Sequence, residues 1–136
     1  MANNSARGQY YKHKTKKWLE ERGYAVAYME RMHQLKPGVF VKIDQLGSDL
    51  LAVNAEETLF VQVKLGGPSW RQRGLSEARK LFETFPVPPC SGQQIYVWEP
   101  GAKWPLIFQR VRLDYGEVSS WSDPEEVGRL PLRRAK

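Results

Sequence analysis

The sequence predicts an α/β domain in which one mixed β-sheet is flanked by helices. Three observations predict this class. Apolar residues recur at helical spacing in two segments, apolar and polar residues alternate in several short segments, and Gly or Pro separates most of these segments. A chain of 136 residues suits a single domain. Helices that flank one sheet satisfy the predicted element order, α-β-β-β-α-β-β.

The first predicted element is a helix from about Ser5 to Arg22. Polar residues at its start can cap the free backbone N–H groups. Gly23 follows the helix and can adopt positive φ without a Cβ penalty, which is typical of a helix end. One stripe at helical spacing should be buried: Tyr11, Thr15, Trp18 and Leu19.

The segments after this helix predict strands. Tyr24 to Tyr28 reads as a short strand, and the residues from there to Lys36 have no clear assignment. From Val39 the residues alternate as far as Gly47. Asp49 to Val53 and Leu59 to Leu65 are two further strands, joined by a polar turn. In the last of these, alternation separates an apolar face from a mixed face.

The rest of the pattern predicts a second helix and a hairpin. Gly66 to Gly74 reads as a loop, and Ser76 can cap a helix from Glu77 to Phe85. Gln94 to Glu99 and Leu106 to Val111 read as paired strands. The second helix should bury Ala78, Leu81, Phe82 and Phe85.

No periodic pattern continues beyond Leu113. We therefore predict a single domain over residues 1–113 and an extension over 114–136 that is basic at its end. This extension either wraps the surface or is mobile.

Composition excludes several classes of protein. Apolar residues make up 41% of the chain, and no segment approaches the roughly 18 apolar residues that a membrane span requires. The first residues lack the apolar region of a secretory signal. Cys90 is the single cysteine, which excludes an internal disulfide and a multi-cysteine zinc site. We expect a cytoplasmic protein with no membrane partner.

The charge distribution favours a polyanionic partner. The net charge is +6 and the isoelectric point is about 9.5. Any one basic cluster is compatible with solvated surface charge, but three clusters together favour nucleic acid. The clusters are Arg7, Lys12, Lys14, Lys16, Lys17 and Arg22; Arg71, Arg73, Arg79 and Lys80; and Arg129, Arg133, Arg134 and Lys136.

Three polar residues form a candidate catalytic site: Asp49, Gln62 and Lys64. Gln62 and Lys64 lie two residues apart and therefore share one face of their strand. A turn centred on Glu56 would place Asp49 opposite a residue near Val63, to within about one residue of register, and so close to Gln62 or Lys64. Charged groups among apolar strands are costly unless they are paired or functional. An Asp49–Lys64 salt bridge at a sheet edge is the purely structural alternative.

The same residues resemble those of the PD-(D/E)XK nuclease superfamily, and within it the archaeal-type Holliday junction resolvases and their viral relatives. Asp49 matches the family's strand-opening Asp, and Gln62 with Lys64 matches its (E/Q)-x-K motif. The resemblance spans roughly residues 7–98 and implies a restriction-endonuclease-like sheet. The chain departs from the family at Lys12, where the helix Glu would fall. Arg7-Gly8, Leu19 and Gly23-Tyr24 match the helix framework.

The resemblance implies a metal-dependent endonuclease that hydrolyses DNA phosphodiester bonds and prefers branched DNA. Asp49 and Gln62 would hold Mg²⁺ or Mn²⁺, and Lys64 would orient the attacking water or stabilise charge on the phosphate. Junction resolution would require a homodimer. Possible substitute ligands or bases are His13, Asp44, Glu20 and Glu21.

We expect DNA contacts along the first helix, at the turn before Asp49 and in the middle loop. Aromatic residues nearby could stack on unpaired bases. The predicted DNA-binding residues are Arg7, Lys12, Lys14, Lys16, Ser48, Arg71 and Arg73, and the stacking candidates are Tyr10, Tyr11 and Trp70. Apolar candidates for a dimer surface, unless they are core, are Trp98, Trp104, Ile107, Phe108 and Trp121.

Two other functions remain open. The first is a nuclease-like domain that binds nucleic acid without cutting it. Lys12 and Gln62 are compatible with it, because both reduce the number of carboxylates at the metal site. The second is a small basic structural protein, whose behaviour a metal ion should not affect. The setting is the cytoplasm, or the host cytoplasm if a virus encodes the chain.

Overall fold

A computed structural model describes residues 4–66 and 70–122, without the side chains of residues 4–7, 30–33, 41–44 and 70–73. Two helices and seven strands are present in these ranges. No helix among them is both long and apolar enough to span a membrane. The elements are α1 (Asn4–Glu20), β1 (Ala25–Tyr28), β2 (Glu30–Lys36), β3 (Val39–Asp44), β4 (Leu50–Val53), β5 (Thr58–Leu65), α2 (Trp70–Glu83), β6 (Ser91–Trp98) and β7 (Leu106–Arg112).

The main sheet has five strands in the order β1-β4-β5-β6-β7. β5 and β6 are parallel, and the other neighbours are antiparallel. The parallel pair needs a crossover, which α2 supplies. The predicted class, a mixed sheet flanked by helices, is confirmed. β6 begins at Ser91, earlier than predicted, and all of its residues are buried.

A separate two-stranded ribbon, β2–β3, extends the predicted element order. β2 covers Glu30–Lys36, which the sequence left unassigned. β3 pairs with β2 rather than with the main sheet. The link between ribbon and sheet is Met29, whose N–H donates to the Asp49 carbonyl at 2.9 Å and whose carbonyl accepts from Gln45 N–H at 3.1 Å. The ribbon therefore continues the β1–β4 pair past Asp49.

α1 packs on one face of the sheet through its predicted stripe. Thr15, Trp18 and Leu19 are buried there. Trp98 Nε1 donates to Thr15 Oγ1 at 2.8 Å, and Thr15 Oγ1 donates to the Tyr11 carbonyl at 2.7 Å. This chain of hydrogen bonds fastens the middle of α1 to β6. The helix ends before Gly23, which has the predicted positive φ of 91°.

α2 packs on the opposite face and is longer than predicted. It begins at Trp70, so the predicted loop over 66–74 and the predicted Ser76 cap are wrong from residue 70 onward. Gly74 lies inside the helix, which costs about 1 kcal/mol relative to Ala. Burial of Ala78 and Phe82 offsets this cost. The burial predicted for Leu81 is also wrong, since that side chain is 43% exposed.

The segment after β7 lies along the outer edge of that strand. Ser119 N–H donates to the Val111 carbonyl at 2.9 Å, and Ser122 N–H donates to the Gln109 carbonyl at 2.8 Å. The Trp121 ring stacks against Phe82, with ring centroids 6.3 Å apart. Residues 119–122 therefore cover a strand edge that would otherwise present free backbone groups.

Candidate active site

Asp49 lies directly before β4, at the point where the ribbon meets the sheet. Its N–H donates to the Val61 carbonyl at 2.8 Å, and the next pair along is Leu50 with Val61. Continuing this register places Gln62 opposite Asp49, one residue from the predicted partner Val63. The β4–β5 turn is fixed by Asn54, whose side-chain oxygen accepts from two backbone N–H groups of the turn.

A tight turn over residues 45–48 precedes Asp49 and orients it toward β5. Ser48 N–H donates to the Gln45 carbonyl at 3.0 Å, and the two central residues, Leu46 and Gly47, have φ of 55° and 67°. Two consecutive positive φ angles are the pattern of a type I′ turn. Ser48 is fully buried, and its hydroxyl donates to the Leu46 carbonyl. The structure therefore places this hydroxyl inside the turn rather than on a DNA-facing surface.

The Asp49 carboxylate is buried and held at both oxygens. The residue is 4% exposed, and Oδ2 accepts from Val63 N–H at 2.7 Å. Oδ1 lies 3.6 Å from Lys12 Nζ. The alternative of an Asp49–Lys64 salt bridge is not observed among the described side chains. The ion-pair partner of Asp49 is instead Lys12, the residue at which the sequence departs from the nuclease family that it resembles.

Gln62 is buried on the α2 side with one unsatisfied atom. It is 2% exposed, and its Nε2 donates to the Ala78 carbonyl at 3.1 Å. This bond fixes the amide orientation, because the carbonyl of Ala78 requires a donor. Gln62 Oε1 is then buried without a hydrogen-bond partner. A buried oxygen left in this state is costly, and a cation or donor supplied by a ligand would satisfy it.

Lys64 follows two residues later on the same face of β5 and is half-buried. Within the part of the chain that the structure describes, its ammonium group forms no ion pair. The alternating residues Leu59, Val61 and Val63 point to the other face, as predicted, and they pack with α1. The polar pair Gln62 and Lys64 is therefore separated from the α1 core.

The predicted DNA-binding lysines of α1 have different surroundings. Lys14 Nζ lies 4.6 Å from the centroid of the Trp98 ring. Lys16 Nζ lies 2.7 Å from a carboxylate oxygen of Glu20, and this hydrogen bond raises the pKa of Lys16. Tyr10 is 59% exposed, so its ring is accessible for stacking. The side chains of Arg7, Arg71, Arg73 and Trp70 lie outside the described residues, although the last three belong to α2 rather than to a loop.

Two of the proposed substitute ligands, Glu20 and His13, have other partners. Glu20 is engaged with Lys16, and His13 Nδ1 lies 3.5 Å from the Tyr28 hydroxyl. Among the side chains described, no group of three His, Cys, Asp or Glu residues is arranged to hold a metal ion. Asp44 has no described side chain, but its backbone pairs with Glu30, next to Met29.

Two hydrogen bonds that hold the site residues could not be predicted from the sequence. The Val63 amide that anchors Asp49 and the Ala78 carbonyl that orients Gln62 are backbone groups, so residue type does not reveal them. The Lys12 contact depends on the rotation of α1 over the sheet, which side-chain spacing alone leaves open.

Most of the apolar candidates for a dimer surface belong to the core. Trp98 is 1% exposed, and Ile107 and Phe108 are also buried. Trp121 is partly buried against α2. Trp104 is 38% exposed and is the accessible member of this predicted set.

Comparisons with known proteins found few matches. No model of a protein family matches the chain, and no curated protein matches it. Among solved structures, the chain is similar to Hjc, a Holliday junction resolvase from the archaeal hyperthermophile Archaeoglobus fulgidus. The sequence identity is 13% and the TM-score is 0.42, over 74% of this chain and 70% of that chain.

Proposed function

We propose that this chain is a metal-dependent endonuclease that hydrolyses DNA phosphodiester bonds, with a preference for branched DNA. The observation that carries the proposal is the anchoring of the Asp49 carboxylate on the Val63 amide, between Gln62 and Lys64 in sequence. A carboxylate, an amide oxygen and an ammonium group are thereby supplied to one end of β5. These groups suit a cation and a phosphate.

The oxygen atoms available suit Mg²⁺ or Mn²⁺. Gln62 Oε1 is buried without a partner, and Asp49 Oδ1 is the carboxylate oxygen that the backbone does not hold. Mg²⁺ binds through few protein oxygens when water and substrate phosphate complete its coordination. Asp49 and Gln62 would therefore hold the ion. A bound ion would polarise the scissile phosphate and lower the pKa of a coordinated water.

The protein's own groups bind and orient the substrate in this proposal. The Lys64 ammonium group stabilises the negative charge that develops on the phosphate oxygens during attack by water. Lys14 and Lys16 of α1 contact the DNA backbone, and such contacts carry no sequence specificity. Tyr10 offers an exposed ring to an unpaired base. Arg7, Arg71 and Arg73 remain predicted DNA contacts.

A specific contact favours a second function, which is DNA binding without cleavage. Lys12 Nζ lies 3.6 Å from Asp49 Oδ1 and so places a positive charge beside the proposed ligand oxygen. An ammonium group there disfavours a metal ion through charge repulsion. Metal-dependent cleavage distinguishes the two functions.

The proposal includes a homodimer, because resolving a junction requires two cuts related by symmetry. It also includes the cytoplasm as the setting, or the host cytoplasm for a virus-encoded chain.

The test is cleavage of a labelled four-way junction and of a matched linear duplex with Mg²⁺, Mn²⁺ or EDTA. We expect paired cuts in the junction that disappear with EDTA, with Asp49→Asn and with Lys64→Ala, whereas DNA binding by both variants persists. Asp114→Asn removes an exposed carboxylate beyond β7 and serves as the control for net charge.

The outcomes separate the candidates. Cuts in both substrates would indicate a nuclease without preference for branches. Binding with no cut in the presence of either metal would establish the second function. Full activity of a well-folded Asp49→Asn or Lys64→Ala variant would show that the site lies elsewhere.

A further inference from the structure

The Lys12 ammonium group lies beside the oxygen of Asp49 that a bound metal ion would use. Oδ2 is occupied by the Val63 N–H at 2.7 Å, which leaves Oδ1 as the oxygen open to a cation. Lys12 Nζ lies 3.6 Å from that oxygen. Both cations cannot be held there at low cost, because they repel each other at short distance in a partly desolvated site.

We propose that Lys12 couples metal binding to DNA binding. In the free protein its ammonium group neutralises Asp49 and keeps metal affinity low. A DNA phosphate that reaches the site draws Lys12 away from Oδ1, and the metal ion then binds to the released oxygen. This inference rests on the proposed function, and it adds a role for the residue at which the chain departs from the family that it resembles.

The position of Lys12 suits this exchange. The helix around it is fixed, because Thr15 is hydrogen-bonded both to Tyr11 and to the indole of Trp98. The side chain of Lys12 is 17% exposed, so its end lies at the boundary between the buried carboxylate and solvent. A lysine stem has enough rotatable bonds to move its ammonium group without any movement of the helix.

The neighbouring lysines of α1 do not share this arrangement. Lys14 lies over the Trp98 ring, and Lys16 pairs with Glu20. Replacement of either changes the charge of the helix without changing the surroundings of Asp49. Lys16→Gln is therefore a matched control for Lys12→Gln in the titration without DNA.

Coupling of this kind is reciprocal. If DNA raises the affinity for metal by some factor, metal raises the affinity for DNA by the same factor. Typical coupling factors between two sites lie between about 5 and 150. Removal of the Lys12 charge should raise metal affinity in the free protein by about tenfold and largely abolish the effect of DNA on it.

The experiment is a titration of Mn²⁺, followed by its paramagnetic resonance signal, into wild type, Lys12→Gln and Lys16→Gln. Without DNA, we expect Lys12→Gln to bind Mn²⁺ about tenfold more tightly than the other two proteins. A second titration adds a four-way junction in a Lys64→Ala background, which keeps the DNA uncut. In that background, DNA should raise the Mn²⁺ affinity of the Lys64→Ala protein, which retains Lys12. It should not raise the Mn²⁺ affinity of the double variant that also carries Lys12→Gln. Lys12→Met, which retains the aliphatic stem, replaces Lys12→Gln if the latter is poorly folded.

Two results would overturn the inference in different ways. Equal Mn²⁺ affinity in wild type, Lys12→Gln and Lys12→Met would show that Lys12 does not compete, while the proposed metal-dependent function would stand. Absence of Mn²⁺ binding in every protein, with and without DNA, would overturn the proposed metal centre and the coupling with it.

Discussion

At the scale of single residues, the two buried glutamines between the sheet and α2 provide an internal comparison. Gln93 is satisfied at both ends, because Nε2 donates to the Phe82 carbonyl at 2.9 Å and Oε1 accepts from Arg110 Nε at 2.7 Å. Gln62 has the same type of donor bond to Ala78, but its Oε1 is buried without a partner. Hydrogen bonds within the described residues account for both ends of the Gln93 amide and for one end of the Gln62 amide, as they do for Gln94, whose Oε1 is also buried without a partner.

Replacement of each glutamine by methionine should separate stability from function. Gln62→Met removes an unsatisfied buried oxygen, so we expect the free energy of unfolding to change by less than about 1 kcal/mol while Mn²⁺ affinity and cleavage fall. Gln93→Met leaves Arg110 Nε without its acceptor, so we expect a loss of about 1–3 kcal/mol. Urea unfolding and Mn²⁺ titration measure the two effects. A large loss of stability in Gln62→Met with unchanged Mn²⁺ affinity would assign Gln62 to the core alone.

The sequence could predict which side chains enter this site, but not how they are held. Alternation along β5 places Gln62 and Lys64 on one face, and this needs only the strand period. The groups that orient Asp49 and Gln62 are main-chain atoms of Val63 and Ala78, which any residue supplies. The contact between Lys12 and Asp49 joins two segments that are far apart in sequence, so no local pattern of residues could predict it.

At the scale of elements, the turn over residues 45–48 leads directly into Asp49 and β4. Leu46 adopts φ of 55°, a conformation that is unfavourable for a residue with a Cβ atom, and its side chain is 47% exposed. Backbone strain of this kind costs about 1–3 kcal/mol and persists where surrounding contacts enforce it. The turn packs closely against Leu81 of α2 and Phe85 just after it, since a Cβ atom at Gly47 would lie 3.0 Å from Phe85 and 3.1 Å from Leu81.

Substitution of Gly47 should therefore act on stability and on the site together. Gly47→Ala adds both a strained φ and a close contact, so we expect a loss of about 2–3 kcal/mol and reduced cleavage. Gly38→Ala, with φ of 80° and open space around it, adds strain alone and should cost about 1 kcal/mol without affecting cleavage. Thermal unfolding and junction cleavage compare the variants. Equal losses of stability would show that the contact with α2 does not hold the turn.

The elements illustrate which patterns predict structure. The α1 stripe and the alternation of β5 were predicted correctly because each follows a single period over several residues. The start of α2 was missed because Gly74 suggested a loop, whereas tertiary burial of Phe82 sustains the helix through it. β2 was missed because its residues show no alternation of apolar and polar types, and the side chains that the structure describes in it, residues 34–36, are exposed.

At the scale of the whole molecule, the two helices give the sheet two different outer surfaces. α1 covers one face and carries Lys12, Lys14 and Lys16, whereas α2 covers the other face and carries the exposed Lys80. Lys12, whose ammonium group contacts Asp49, belongs to α1. If DNA reaches Asp49 from that side, the α1 lysines should contribute more to its binding than an equal charge on α2.

Salt dependence tests which surface faces the DNA. Each lysine–phosphate contact adds about 0.9 to the slope of log affinity against log salt, so Lys14→Gln should lower the slope by about one and weaken binding to junction and linear duplex alike. Lys80→Gln makes the same change in net charge and should leave the slope unchanged. Binding isotherms between about 50 and 200 mM salt measure both. If Lys80→Gln lowers the slope and Lys14→Gln does not, DNA approaches over α2. The route to Asp49 past Lys12 would then be wrong, and so would the coupling that depends on it.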